Sequence, residues 1–105
     1  MAPYIIVLTT TPSIRVARKI ANSLIQQRLA ACVNIIPEIT SHYTWQGKLC
    51  KDKETLLLIK TTRARFKKIH NQIKKLHPYQ IPEIISLNID QGDKDYLGWI
   101  KSLTK

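Results

Sequence analysis

An imidazole, a phenol and a carboxylate are brought close together by the segment His77-Pro78-Tyr79-Gln80-Ile81-Pro82-Glu83. Side chains of these three types can ligate a metal ion, hold a hydrogen-bonding ligand or pass a proton. Pro78 and Pro82 stiffen the segment, and preorganised side chains on a rigid loop suit a binding site. The same stiffness suits a plain helix-to-strand connection. His70 lies seven residues before His77, roughly 10.5 Å along a helix at ~1.5 Å per residue. That is too far for the two to share an ion, for which a helix would need a His-x-x-x-His pair. His42 stands alone, and each histidine taken singly reads as a solvated or hydrogen-bonded side chain.

Two cysteines, Cys32 and Cys50, form no Cys-x-x-Cys pair and are too few for a disulfide framework. Cys32 sits in an apolar run and reads as a buried small hydrophobe. Cys50, near Lys48 and Lys51, reads as exposed. Nucleophilic catalysis lacks its frame: there is no Gly-x-Ser-x-Gly and no glycine-rich phosphate loop in a chain with 3 glycines. Acyl-phosphate hydrolysis would need a glycine-rich loop with an arginine after the first strand, where this chain has Thr9-Thr10-Thr11-Pro12. The expectation is a protein that is not an enzyme.

The elements that must position the loop are set by periodicity. Tyr4 to Thr10 reads as a short apolar strand, and Thr11-Pro12 as an N-cap followed by proline at the first helical position. The helix that follows places Val16, Ala17, Ile20, Ala21, Leu24 and Ile25 on one face and ends near Arg28. From Ala31 to Thr62 the spacing predicts a long β-hairpin turning at Gln46-Gly47. Cys32, Asn34 and Ile36 share one face, Pro37 interrupts, and Ile39, Ser41, Tyr43 and Trp45 then share a face at period two. Thr61-Thr62 can cap a second helix with Phe66, Ile69, Ile73 and Leu76 on its apolar side, stopped by His77-Pro78. Ile85, Leu87 and Ile89 belong to a last core strand, and Asp93 caps a terminal helix.

Each hairpin arm of about fourteen residues would reach roughly 46 Å at ~3.3 Å per residue. A compact domain of ~100 residues is only ~34 Å across. The distal arm, with Ile39, Tyr43, Trp45 and Leu49, therefore either curls back over its own domain or enters an association surface, and an obligate oligomer is expected. Pro37 fits a bulge where the strand bends. The order βαββαβ plus a C-terminal helix gives an α+β, ferredoxin-like architecture with both helices on one face of a four-stranded sheet. The uncovered face is a second reason to expect association.

The 105 residues make a single domain, residues 1–105, of ordinary globular composition, with 44% hydrophobic and 23% charged residues. No apolar run reaches the ~20 residues of a membrane span. The first residues lead straight into a strand without the marks of a targeting segment, so a cytoplasmic protein is expected. The net charge of +10 raises nucleic acid or another polyanion as a partner. Base stacking on this architecture needs aromatics on the third strand, and Glu54-Thr55-Leu56-Leu57-Leu58-Ile59-Lys60-Thr61 has none. Sequence-specific nucleic-acid binding is not expected.

Several ordered motifs carry a resemblance: Ala31-Cys32-Val33-Asn34-Ile35-Ile36-Pro37, Tyr43-x-Trp45-x-Gly47-Lys48, Leu58-Ile59-Lys60-Thr61-Thr62, His77-Pro78-Tyr79-x-x-Pro82-Glu83-Ile84 and Asp95-Tyr96-Leu97-x-Trp99. Together, from about Tyr4 to Ile100, the chain resembles the CutA divalent-cation tolerance family. The resemblance implies a tightly packed homotrimer whose hairpins pair with neighbouring subunits, here through Ile39, Tyr43 and Trp45. It also implies a likeness in architecture to the trimeric PII signalling proteins, which hold small ligands between subunits. Copper or another divalent cation is the implied ligand, and His77 the candidate metal ligand. Thr9 and Leu76 stand where bacterial members have a cysteine and a first histidine proposed to bind copper. The implied function is non-enzymatic metal-ion homeostasis, with Lys60, Tyr79, Glu83 and Trp45 contributing to an intersubunit cleft beside His77. The alternative is a PII-like sensor of a small anion, in which Lys60 matters more.

Overall fold

The computed structural model describes residues 3–104. Strand β1, Tyr4–Thr11, buries every second residue, so Ile5, Val7, Thr9 and Thr11 point to one side. Helix α1, Ile14–Gln26, packs Ala17, Ile20, Ala21 and Leu24 on that side. Strands β2, Cys32–Trp45, and β3, Lys48–Thr62, form the long hairpin. A 3₁₀ turn, Arg63–Arg65, leads into helix α2, Phe66–Leu76, which buries Ile69 and Ile73. Strand β4, Ile85–Asn88, and helix α3, Lys94–Leu103, complete an α+β chain. The sheet runs β2-β3-β1-β4 with all neighbours antiparallel. Ile5, Val7, Leu57 and Ile59 from the sheet meet Ala17, Ile20, Leu24, Ile69 and Ile73 from the two helices in one core.

The hairpin follows its sequence pattern closely. Gln46 and Gly47 both have positive φ, 50° and 78°, the signature of a two-residue type I′ turn. The register slips between Ile36 and Ile39, and Glu38 takes a left-handed φ of 58°. One extra residue enters β2 at the proline, as a bulge requires. The slip keeps one face continuous: Cys32, Asn34 and Ile36 lie opposite Lys60, Leu58 and Leu56, then Ile39, Ser41, Tyr43 and Trp45 lie opposite Glu54, Asp52, Cys50 and Lys48. The molecule measures 44 × 26 × 22 Å. Its length exceeds the ~34 Å of a compact domain of this size, and Leu49 near the tip is 92% exposed.

Four local expectations are corrected. Thr11 does not open α1, because it is still paired with Thr55 in the sheet; Ser13 is the N-cap, accepting from the Val16 amide at 3.2 Å. Thr61-Thr62 caps nothing with a side chain: Thr62 makes no cap bond, and the buried Thr61 hydroxyl donates to the Leu29 carbonyl at 2.6 Å. Strand β4 is a sheet edge rather than a core strand, and all four of its residues are exposed. Cys32 is half-buried, on the face of the sheet turned away from the core that α1 and α2 cover. Asp93 does cap α3, accepting from the Tyr96 amide at 3.0 Å.

The face turned away from α1 and α2 is largely apolar. Ile6 and Leu8 of β1 pair with Lys60 and Leu58 of β3 on one side and with Leu87 and Ile85 of β4 on the other. Leu56 and Ile36 continue the patch along the hairpin.

Candidate functional site

The site is built where β4 gives out. Pairing of β1 with β4 stops at Leu8 and Ile85, so the carbonyl of Thr10 has no strand partner on that edge. The loop after α2 takes the vacant place. His77 is 8% exposed, and its Nε2 lies 2.7 Å from the Thr10 oxygen. Its Nδ1 accepts from the Tyr79 amide at 3.1 Å. A carbonyl can only accept and an amide N–H can only donate, which fixes His77 as the neutral imidazole with its proton on Nε2. Both ring nitrogens are thereby occupied. The His77 and Tyr79 rings lie 4.8 Å apart, tilted by 53°, so the imidazole also supports the phenol.

Tyr79 carries the chain of contacts to the hairpin. Its hydroxyl donates to Glu54 Oε2 at 2.8 Å, and Glu54 is 8% exposed. Burial, then the hydrogen bond to Glu54, pushes the Tyr79 phenol far above the ordinary tyrosine range. It therefore stays protonated and donating at neutral pH. On the arm, the Tyr43 hydroxyl donates to Asp52, and this bond chiefly pushes the phenol up to about 12.

These contacts border a half-open pocket of about 470 Å³ between loop and hairpin. Tyr43, Trp45 and Glu54 border it from the arm, Thr10 from β1, and Pro78, Tyr79, Gln80, Ile81 and Glu83 from the loop. Of the cleft residues expected from sequence, Trp45, Tyr79 and Glu83 meet here, while Lys60 stands apart, its amine donating to Asn34 on the open face of the sheet. His77 holds the wall from behind. Ile39, grouped with Tyr43 and Trp45 as an interface residue, is half-buried, whereas those two stay exposed. Sequence reading missed Glu54, Thr10 and the pocket role of Tyr43. The signal for Glu54 was present: counting back from the Gln46-Gly47 turn sets it opposite Ile39, on the face of Tyr43 and Trp45.

The pocket runs against the charge of the whole chain. The net charge is +10, yet among the described residues no Lys, Arg or His borders the pocket, and Glu54 and Glu83 do. The faces of α1 and α2 carry Arg15, Arg18, Lys19, Lys67, Lys68, Lys74 and Lys75 and no acidic residue. The arrangement can hold a positive ligand. Ligands suited to copper are not gathered: Thr9 is fully buried on the helix side, Leu76 is aliphatic, and the imidazole of His77 is engaged. Among the described residues no group of three or more His, Cys, Asp or Glu is placed to hold a metal ion.

Fold and site together define a class of small α+β protein, one antiparallel sheet with a hairpin longer than its core and a pocket where hairpin meets loop. The chain belongs to the CutA1 divalent ion tolerance protein family, whose model matches residues 5–103. It is 52% identical over 99 residues to the divalent-cation tolerance protein CutA of Thermus thermophilus, covering 94% of this chain and 96% of that protein. It is 42% identical to human protein CutA over 91% of this chain but only 54% of the human protein. Among solved structures, the Thermus thermophilus Cut A1 protein superposes with a TM-score of 0.95 at 50% identity, over 97% of this chain and 99% of that one. CutA1 of Oryza sativa gives 0.96 at 41% identity, over 99% and 95%.

Proposed function

We propose that this protein is a non-enzymatic, ferredoxin-like homotrimer of divalent-cation tolerance that binds a positively charged ligand in the pocket between its hairpin and the 77–84 loop. The observation that carries the reading is the placement of Glu54 and Glu83 among aromatic side chains in an otherwise strongly basic chain. Family membership supplies the link to divalent ions. Carboxylate oxygens suit hard and borderline divalent cations. Two carboxylates from one protomer leave the remaining coordination to water or to a second copy.

Assembly is supported by the apolar open face of the sheet and by the arm that projects beyond the core. An uncovered sheet face with Ile6, Leu8, Leu58, Ile85 and Leu87 is what an obligate interface buries. The anion-sensing alternative has less behind it, because Lys60 lies away from the pocket and carboxylates border it. His77 acts in this reading as a positioning residue.

The test is calorimetric titration of the metal-free, assembled protein with Cu(II) and with Zn(II), beside the Glu54→Gln variant. The expected result is saturable binding of at least one ion, weakened at least tenfold in the variant. Binding that ignores Glu54 would place the metal elsewhere. Light scattering on the same samples is expected to give three times the protomer mass.

A further inference from the structure

An ion with six waters fills roughly 200 Å³ at ~30 Å³ per water, less than half of a pocket of about 470 Å³. Aromatic walls add nothing to such an ion's hydrated shell. Yet Tyr43, Trp45 and Tyr79 all border this pocket, together with the two carboxylates. Aromatic rings attract organic cations through the negative charge density of their faces, most strongly from tryptophan, and a neighbouring carboxylate supplies the countercharge. We propose that the pocket is a site for an organic nitrogen cation, an alkylammonium or guanidinium group, with its charge toward Glu54 and its carbon atoms against Trp45 and Tyr43. This rests on the reading of the pocket as a ligand site and names the ligand's class.

The site is built to keep that polarity. Tyr79 spends its proton on Glu54 and stays neutral, so the wall offers a carboxylate and a phenol oxygen and no competing cation. Tyr43 is held in the same way by Asp52. Glu54 is nine-tenths buried, where a charge interacts more strongly than at the surface. Two sources provide the cation: a free small molecule, or a lysine or arginine side chain of a second copy of this chain, which carries 17 of them.

The experiment titrates the assembled, metal-free protein with tetramethylammonium, n-butylammonium and agmatine, and with n-butanol as the uncharged control. Heat and tryptophan fluorescence are followed at low ionic strength. The variants are Glu54→Gln, whose amide oxygen still accepts from Tyr79, and Trp45→Leu, with circular dichroism confirming that both fold. A free ligand is supported by saturable binding of an organic cation that falls at least tenfold in both variants and is absent for n-butanol. A side chain of a second copy is supported by no free-cation binding together with at least a tenfold rise, in both variants, of the protomer concentration at half-dissociation. Absence of both effects overturns the proposal. Glu54-dependent binding of Cu(II) or Zn(II) with neither organic effect overturns this inference and leaves the ligand-site reading standing. Organic-cation binding without metal binding does the reverse to the metal assignment.

Discussion

The Nε2 of His77 donates to the Thr10 carbonyl across 2.7 Å, closing the sheet edge that β4 leaves open. Because Nδ1 is held by the Tyr79 amide, the ring joins β1 to the pocket loop. His77→Ala removes both bonds and leaves a void beside Tyr79. The expected cost is about 2–3 kcal/mol of unfolding free energy, read from urea denaturation at fixed protomer concentration. Loss of metal affinity with stability unchanged would instead make His77 a ligand.

Much of this was legible in the sequence because it depends on local pattern. The type I′ turn, the bulge at Pro37 and the face shared by Tyr43 and Trp45 follow from residue type and period two. The loop's Tyr79 and Glu83 were recognisable as preorganised by Pro78 and Pro82. What stayed hidden depends on where elements stop. Thr10 matters only because β4 ends at Ile85, and Lys60, paired with Ile6 and Cys32, stands six residues along β3 from Glu54, beyond the reach of the pocket within one protomer. Ile85 and Leu87 alternate like core residues, but their partners are expected in another copy of the chain, so within the protomer they lie bare.

Tyr79 gives a titration to follow. Its phenol is raised well above a tyrosine's ordinary value of about 10, so the folded state holds that proton more tightly than the unfolded chain. The stabilisation is fully present below pH ~10 and is lost as pH rises through the folded value. Absorbance near 295 nm is expected to show Tyr43 ionising near pH 12 and Tyr79 later still. Glu54→Gln brings the Tyr79 step down, because the charge that opposes phenolate is gone. A step unmoved by that substitution would leave burial alone as its cause.

Glu38 is held at a φ of 58° by the bulge, a conformation costing an L-residue roughly 1–2 kcal/mol. Glu38→Gly therefore stabilises by up to about 1 kcal/mol, the relief being partly offset by glycine's greater chain entropy when unfolded. Glu38→Val lowers stability by about 1 kcal/mol or more, since a β-branched side chain tolerates this region worst. Thermal melts of the pair decide it. Equal melting temperatures would mean that the bulge relaxes when its residue changes.

Leu87 separates folding from assembly. It is 52% exposed in the protomer, so Leu87→Lys disturbs the isolated fold by only about 0.5 kcal/mol. In the proposed trimer the same side chain is buried against another copy. There, the substitution forfeits about 2 kcal/mol of apolar burial and adds the cost of desolvating an amine. A loss near 3 kcal/mol per protomer is about 9 kcal/mol per trimer, and because the half-assembly concentration of a trimer varies as the square root of its dissociation constant, that concentration rises on the order of a thousandfold. Light scattering across a dilution series is expected to show trimers giving way to folded monomers or to unfolded chain, while Leu49→Lys at the exposed tip leaves the mass unchanged. Trimers that persist in Leu87→Lys would move the interface from the open sheet face to the arm.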